Sequence, residues 1–127
     1  MVLNKGAALL FVYGSLMRGR RANGLLASQG ARFKGAAALP GYALYHLGGF
    51  PGIRPHPGQT VLGEAWLVPE RAFPALDRYE GEGQLYRRVT ADITLDSGER
   101  ASARAYVYLR PVDEGSRIPL SAQPWRG

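Results

Sequence analysis

Leu85-Tyr86-Arg87-Arg88-Val89-Thr90-Ala91-Asp92-Ile93-Thr94-Leu95, then Asp96-Ser97-Gly98-Glu99, then Ala101 to Leu109, is the stretch on which the fold turns. Both flanks are rich in β-branched and aromatic residues, which pack well on a pleated surface. The four residues between them carry turn chemistry, so the whole reads as a β-hairpin. Just upstream the period changes. Phe73, Leu76 and Tyr79 recur three apart, which predicts a helix over Arg71 to Glu80 with those three on one inward face. Pro74 fits only in the first turn, where its missing N–H costs nothing. Gly81 is placed to end the helix in a left-handed conformation.

Further upstream the strand signals continue. Ala7 to Tyr13 is a continuous apolar run and reads as a buried strand, ended by Gly14-Ser15. Ser15 to Gly24 is basic and glycine-punctuated, so it reads as a loop. A short helix over Asn23 to Ser28 is expected, with Asn23 as N-cap. Arg32 to Leu39 reads as a strand stopped by Pro40-Gly41, and Tyr42 to Leu47 as another. Gly48 to Gly58 holds four Gly and three Pro and reads as a loop with at most a few extended residues at Ile53. Thr60 to Val68 is a further strand. The tail from Pro111 is irregular, and Trp125 is expected to fold back onto the body, because an exposed Trp would waste a large apolar area. Many short strands and one clear helix imply an α+β domain: a curved, mostly antiparallel sheet or small barrel with one or two short helices.

Composition sets the outer bounds. The chain has 127 residues, one domain's worth over 1–127, and 46% of them are hydrophobic, enough for a core of its own. It has no Cys, which excludes disulfides and thiolate chemistry, and only His46 and His56, which argues against an imidazole-built metal site. Gly (17) and Pro (9) favour turns and short strands over long helices. The net charge is +6, and all basic residues but Lys5 and Lys34 are Arg. Arg forks carboxylates and phosphates. The charges are dispersed without a basic run, however, so an anionic small molecule is a better fit than nucleic acid. The apolar run at Ala7 to Tyr13 is too short to span a membrane and no cleavage pattern follows it, so a cytoplasmic protein is expected.

Three places could carry chemistry. At Tyr13-Gly14-Ser15-Leu16 a buried strand runs out into a glycine, which frees the backbone to aim successive N–H groups at one anion. Glu80 falls in the last helical turn, where the negative dipole end and partial burial would raise its pKa and suit it to moving protons. Tyr86 and Arg88 share one strand face and Arg87 takes the other. Arg88 then needs a carboxylate, from a substrate or from Glu64 or Glu80.

Together these features resemble the γ-glutamylcyclotransferase-like, or AIG2-like, family. Its pattern opens with a strand ending Tyr-Gly-Ser/Thr-Leu, here Tyr13 to Leu16. Arg18-Gly19 and Asn23 follow, then Phe50-Pro51-Gly52-Ile53, then Gly63-Glu64 with Trp66 and Val68. The helix ends Leu-Asp-x-aromatic-Glu-Gly, matched by Leu76 to Gly81. Tyr86 and Arg88 match Tyr-x-Arg, and Val107-Tyr108 matches the late strand. Gly24 stands where many members carry His, and Arg20-Arg21 lies outside the pattern.

The resemblance implies a small barrel whose active members cyclise a γ-glutamyl group to 5-oxoproline and expel an amine, with no metal or other cofactor. It implies Glu80 as the proton-transfer residue. It implies Tyr13, Gly14, Ser15, Leu16, Tyr86 and Arg88 as the residues around a γ-glutamyl amino acid or γ-glutamylamine. The leaving-amine pocket is expected from the loops Ser15 to Gly24 and Gly48 to Gly58. The alternative is a non-catalytic small-molecule-binding module of the same fold, and the acid at position 80 favours the enzyme. A nucleic-acid-binding barrel would interleave exposed aromatics with Arg, whereas the aromatics here alternate in core-like positions. Neither nucleic acid nor membrane is an expected partner.

Overall fold

A computed structural model describes residues 6–127. The strands are β1 (Ala7–Val12), β2 (Arg32–His46), β3 (Pro51–Pro69), β4 (Tyr86–Leu95), β5 (Arg100–Tyr108) and the two-residue β6 (Arg117–Ile118). The helices are α1 (Asn23–Ser28) and α2 (Phe73–Glu80), the latter entered through a single 3-10 turn, Glu70–Ala72. Strands pair in the order β3-β1-β5-β4-β2, and β2 pairs β3 again, which closes a five-stranded barrel. β6 adds to the outer stretch of β2 at Leu44 and Tyr45. All pairings are antiparallel except β1 with β5. Among the described residues no helix is long and apolar enough to cross a membrane.

The predicted hairpin forms in register, Tyr86 opposite Tyr108 and Thr94 opposite Arg100. Leu10, Leu39, Leu44, Ile53, Val61, Val68 and Leu76 are fully buried at its centre and that of the barrel. Each such side chain contributes roughly 1.5–3 kcal/mol through the water-exposed area it removes.

Two expected breaks are absent. Pro40-Gly41 does not stop a strand, and most of residues 48–58 are not a loop. β2 runs straight through, and β3 starts at Pro51, leaving a connection of only four residues, 47–50. Leu44 opposite Ile53 and Leu39 opposite Val61 hold the hairpin on either side of the breakers. The irregularity is absorbed within the ladder, where the register jumps between Pro40 and Tyr42. Gly41 supplies the positive φ of 84° that the bend needs. Burial of paired apolar residues outweighs local turn propensity here.

Asn23 is not the N-cap of α1. That place falls to Ala22 with no side-chain bond, and Asn23 Nδ2 instead donates to the Leu16 carbonyl at 2.7 Å. α2 ends as expected, with Gly81 left-handed at φ 68° and its N–H bonded to the Arg78 carbonyl.

Candidate active site

A cavity of about 290 Å³ opens where several parts of the chain converge, Tyr106 of β5 among them. The end of β1 supplies Tyr13 and the turn Gly14 to Leu16, the short β2–β3 connection supplies Gly49 and Phe50, and the start of β3 supplies Pro51. The end of α2 brings Tyr79 and Glu80, the start of β4 brings Tyr86, and the tail brings Trp125. Trp125 does fold back and is 8% exposed. Both loops expected at the amine-binding end contribute, through Ser15, Leu16 and Arg21 on one side and Gly49 and Phe50 on the other.

The turn after β1 is closed by the Met17 N–H bonding the Gly14 carbonyl at 3.1 Å. The two central amides, Ser15 and Leu16, bond no carbonyl among the described residues. A strand end therefore leaves two amides without a carbonyl partner on residues that line the cavity, the makings of a small anion-binding device. Gly14 is needed for a different reason from the one expected. Its φ is not positive. A Cβ there would lie 2.8 Å from Cγ of Pro51, so the glycine lets the turn close against the opposite wall.

Helix geometry places Glu80 in that wall. At ~100° per residue, seven residues on from Phe73 brings the helix to within ~20° of Phe73's direction. Glu80 thus falls on the buried face. Tyr79 does not: it is 45% exposed, contrary to the inward position expected for it, because a strict three-residue spacing drifts around the helix. Its hydroxyl meets Ser15 Oγ at 2.7 Å, tying α2 to the turn after β1. Burial pushes the Glu80 carboxyl from 4.5 up to about 7, with no cation among the described residues to offset it. Desolvation by burial is the cause.

Two tyrosines line the cavity with their hydroxyls already engaged. Tyr13 donates to the Tyr106 carbonyl at 2.6 Å, and Tyr86 donates to the Pro51 carbonyl at 2.7 Å. Burial raises both phenols, so they stay neutral and serve as walls. Tyr86 is buried and Arg87 exposed, as the alternation predicts.

Arg88 is not part of the cavity lining. Its Nε lies 3.0 Å from Asp77 Oδ1, and its guanidinium sits 4.7 Å from the Phe73 ring centroid. Its partner is therefore neither Glu64 nor Glu80. Glu64 is itself occupied, accepting from the Arg18 N–H and from Trp66 Nε1. Asp77 also accepts from the Tyr106 hydroxyl at 2.6 Å. Arg88 and Asp77 thus brace Tyr106, a wall of the cavity, from behind.

Sequence reasoning missed Asp77 as Arg88's partner, Tyr106 as a wall and Arg21 at the rim. The seven-residue step from Phe73 to Glu80 was the available signal for the buried acid. Arg21 had none beyond its place in a loop already assigned to the pocket.

Residues 10–127 match the sequence profile of a family described as Gamma-glutamyl cyclotransferase, AIG2-like. The chain is 36% identical over 104 residues to the Gamma-glutamylcyclotransferase family protein YtfP of Escherichia coli K12, covering 82% of this chain and 85% of that one. The crystal structure of an AIG2-like protein from Mus musculus shares the fold, with a TM-score of 0.76 at 24% identity over 86% of this chain and 82% of that one. A Pyrococcus horikoshii protein superposes with a TM-score of 0.66 at 27% identity, over 87% and 85%. With its YGSL turn and Glu80 brought into one cavity, the chain belongs to the gamma-glutamyl cyclotransferase, AIG2-like family.

Proposed function

We propose that the protein is a γ-glutamyl cyclotransferase that releases 5-oxoproline and an amine from a small γ-glutamyl compound. One observation carries the reading: a carboxyl with a pKa of about 7 shares a 290 Å³ cavity with two backbone donors that are unpaired among the described residues. That size is near the lower end of ligand cavities, roughly 300–1,000 Å³.

The chemistry follows from those groups. The α-ammonium cannot attack its own γ-carbonyl until it loses a proton, and Glu80 is the acceptor. The freed nitrogen forms a bond to the γ-carbon, giving a tetrahedral oxyanion. The amides of Ser15 and Leu16 serve the glutamyl carboxylate or that oxyanion. The bond from the γ-carbon to the leaving nitrogen then breaks as Glu80 returns its proton there. Over the reaction two protons leave the attacking nitrogen and two reach the departing one, so none is consumed. A carboxyl tuned near neutrality serves in both directions. Enclosure that folds the chain into a ring-closing conformer lowers the barrier by roughly several kcal/mol.

The test is 5-oxoproline release over a panel of γ-glutamyl compounds by wild type, Glu80→Gln and Glu82→Gln. Glu80→Gln should lose ~100-fold or more in kcat, the usual worth of general acid–base catalysis. Glu82, two residues on and outside the cavity, is the control. Equal rates in wild type and Glu80→Gln would remove the mechanism. No release by wild type from any compound would favour a binding module.

A further inference from the structure

We propose that Arg21 recognises a carboxylate on the leaving amine, so that the preferred substrates are γ-glutamyl α-amino acids rather than γ-glutamylamines. The proposal rests on the cyclotransferase reading and deepens it.

The cavity lining holds two formally charged side chains, Arg21 and Glu80. Arg21 is exposed and makes no ion pair or side-chain hydrogen bond among the described residues. The other arginines near the β1 turn are committed. Arg18 pairs with Glu64, and Arg20 donates to the carbonyls of Trp125 and Arg126. These commitments also fix Arg21's backbone. On one side Arg20 is clamped to the tail, and on the other the Ala22 N–H bonds the Ser15 carbonyl at 2.9 Å. A cation with no partner among the described residues is thus held at the cavity rim by anchored neighbours.

The direction of the substrate decides what that cation meets. The reacting γ-carbon must lie at Glu80, on the buried face of α2, with the glutamyl half beside the Ser15 and Leu16 amides. The departing half then points to the open rim, where Arg21 and the 40% exposed Phe50 stand. A guanidinium offers a planar fork that matches a carboxylate, and Phe50 offers an apolar face to an amino-acid side chain. A neutral leaving amine would leave the Arg21 fork unused.

A matched pair of compounds isolates the carboxylate: γ-glutamyl-leucine and γ-glutamyl-3-methylbutylamine differ in that group alone. Wild type should favour the first by about tenfold in kcat/KM, the order expected for a partly exposed charge-assisted pair. In Arg21→Gln the ratio should fall to near one, and Arg21→Lys should restore part of it. Thermal melts check that each variant folds. No wild-type preference, a preference that survives Arg21→Gln, or an equal loss on both compounds would overturn the proposal while release of 5-oxoproline kept the cyclotransferase reading intact. Absence of release from both compounds and from every other γ-glutamyl compound of the panel would instead remove that reading. Calorimetric binding of the same two compounds to Glu80→Gln, with and without Arg21→Gln, then decides for Arg21 without turnover. A tenfold affinity preference lost in the double variant supports its role, and equal affinities overturn it.

Discussion

Arg88 is paired with Asp77 and not with Glu80, although both acids lie on α2. Its Nη2 donates to Asp77 Oδ2 at 3.2 Å and its Nε lies 3.0 Å from Oδ1. Nε makes no well-aligned hydrogen bond, so Nη2 and charge hold the pair. Asp77 thereby engages the cation that β4 carries toward α2. Glu80 is left to burial alone, which is what lifts its carboxyl to about 7. A cation against Glu80 would have pulled the other way and spoiled it as a base.

Arg88→Met should therefore act as a structural lesion. It leaves Asp77 with the Tyr106 hydroxyl alone and removes the guanidinium stacked near Phe73. Both partners are about a quarter exposed, so the expected loss is ~1–2 kcal/mol, read from urea unfolding. A tenfold rise in KM for a γ-glutamyl substrate at unchanged stability would put Arg88 back among the substrate contacts.

Gly14→Ala tests the packing of the YGSL turn. The added Cβ would press on the Pro51 ring, whose position is fixed by the backbone and by the Tyr86 hydroxyl on the Pro51 carbonyl. Overpacking of this kind costs ~1–3 kcal/mol. Because the strain falls on the turn that carries the free amides, kcat should fall as well as the melting temperature. Full activity with normal stability would mean that the turn and Pro51 move apart freely.

Much of this arrangement was legible in the sequence, and the rest failed for identifiable reasons. The hairpin of β4 and β5, the helix ending at Gly81 and the buried β1 follow from local period and turn chemistry. The β2–β3 hairpin did not, because its stability lies in non-local pairs such as Leu44 with Ile53, while the local signal at Pro40-Gly41 says stop. The three-residue spacing that points Tyr79 inward drifts around the helix, and the seven-residue step from Phe73 to Glu80 is the better guide. Gly14 in a strand-end turn suggests a need for unusual backbone angles, but its reason is a neighbour distant in sequence, Pro51. Arg88 needed an acid, and the choice among Asp77, Glu64 and Glu80 is made only by three-dimensional packing.

The Ser15–Tyr79 contact links α2 to the β1 turn, at 2.7 Å and exposed. Ser15→Ala and Tyr79→Phe should each cost under ~1 kcal/mol, and the double variant should cost less than their sum by ~0.5 kcal/mol. Additive losses in a thermal-melt cycle would show that the two hydroxyls are satisfied by water instead.

Glu80 also makes stability and activity depend on pH in opposite senses. Its carboxyl stands at about 7 when folded against 4.5 for a free glutamate, so folding favours the protonated form. The stability it permits is fully present below about 4.5 and is lost as pH rises through about 7. At roughly 1.4 kcal/mol per pH unit, the loss is on the order of 3 kcal/mol at most. Glutamine mimics the protonated acid and cannot ionise. Glu80→Gln should therefore match wild type near pH 4 and exceed it by up to that amount at pH 8, measured by urea unfolding at each pH. Turnover should run the other way. The base works only when ionised, so wild-type kcat/KM should climb with pH along an acid limb centred near 7 rather than near 4.5. A stability gap that stays flat from pH 4 to pH 8, or an acid limb at the ordinary glutamate value, would place the Glu80 carboxyl in water and take the proposed base away.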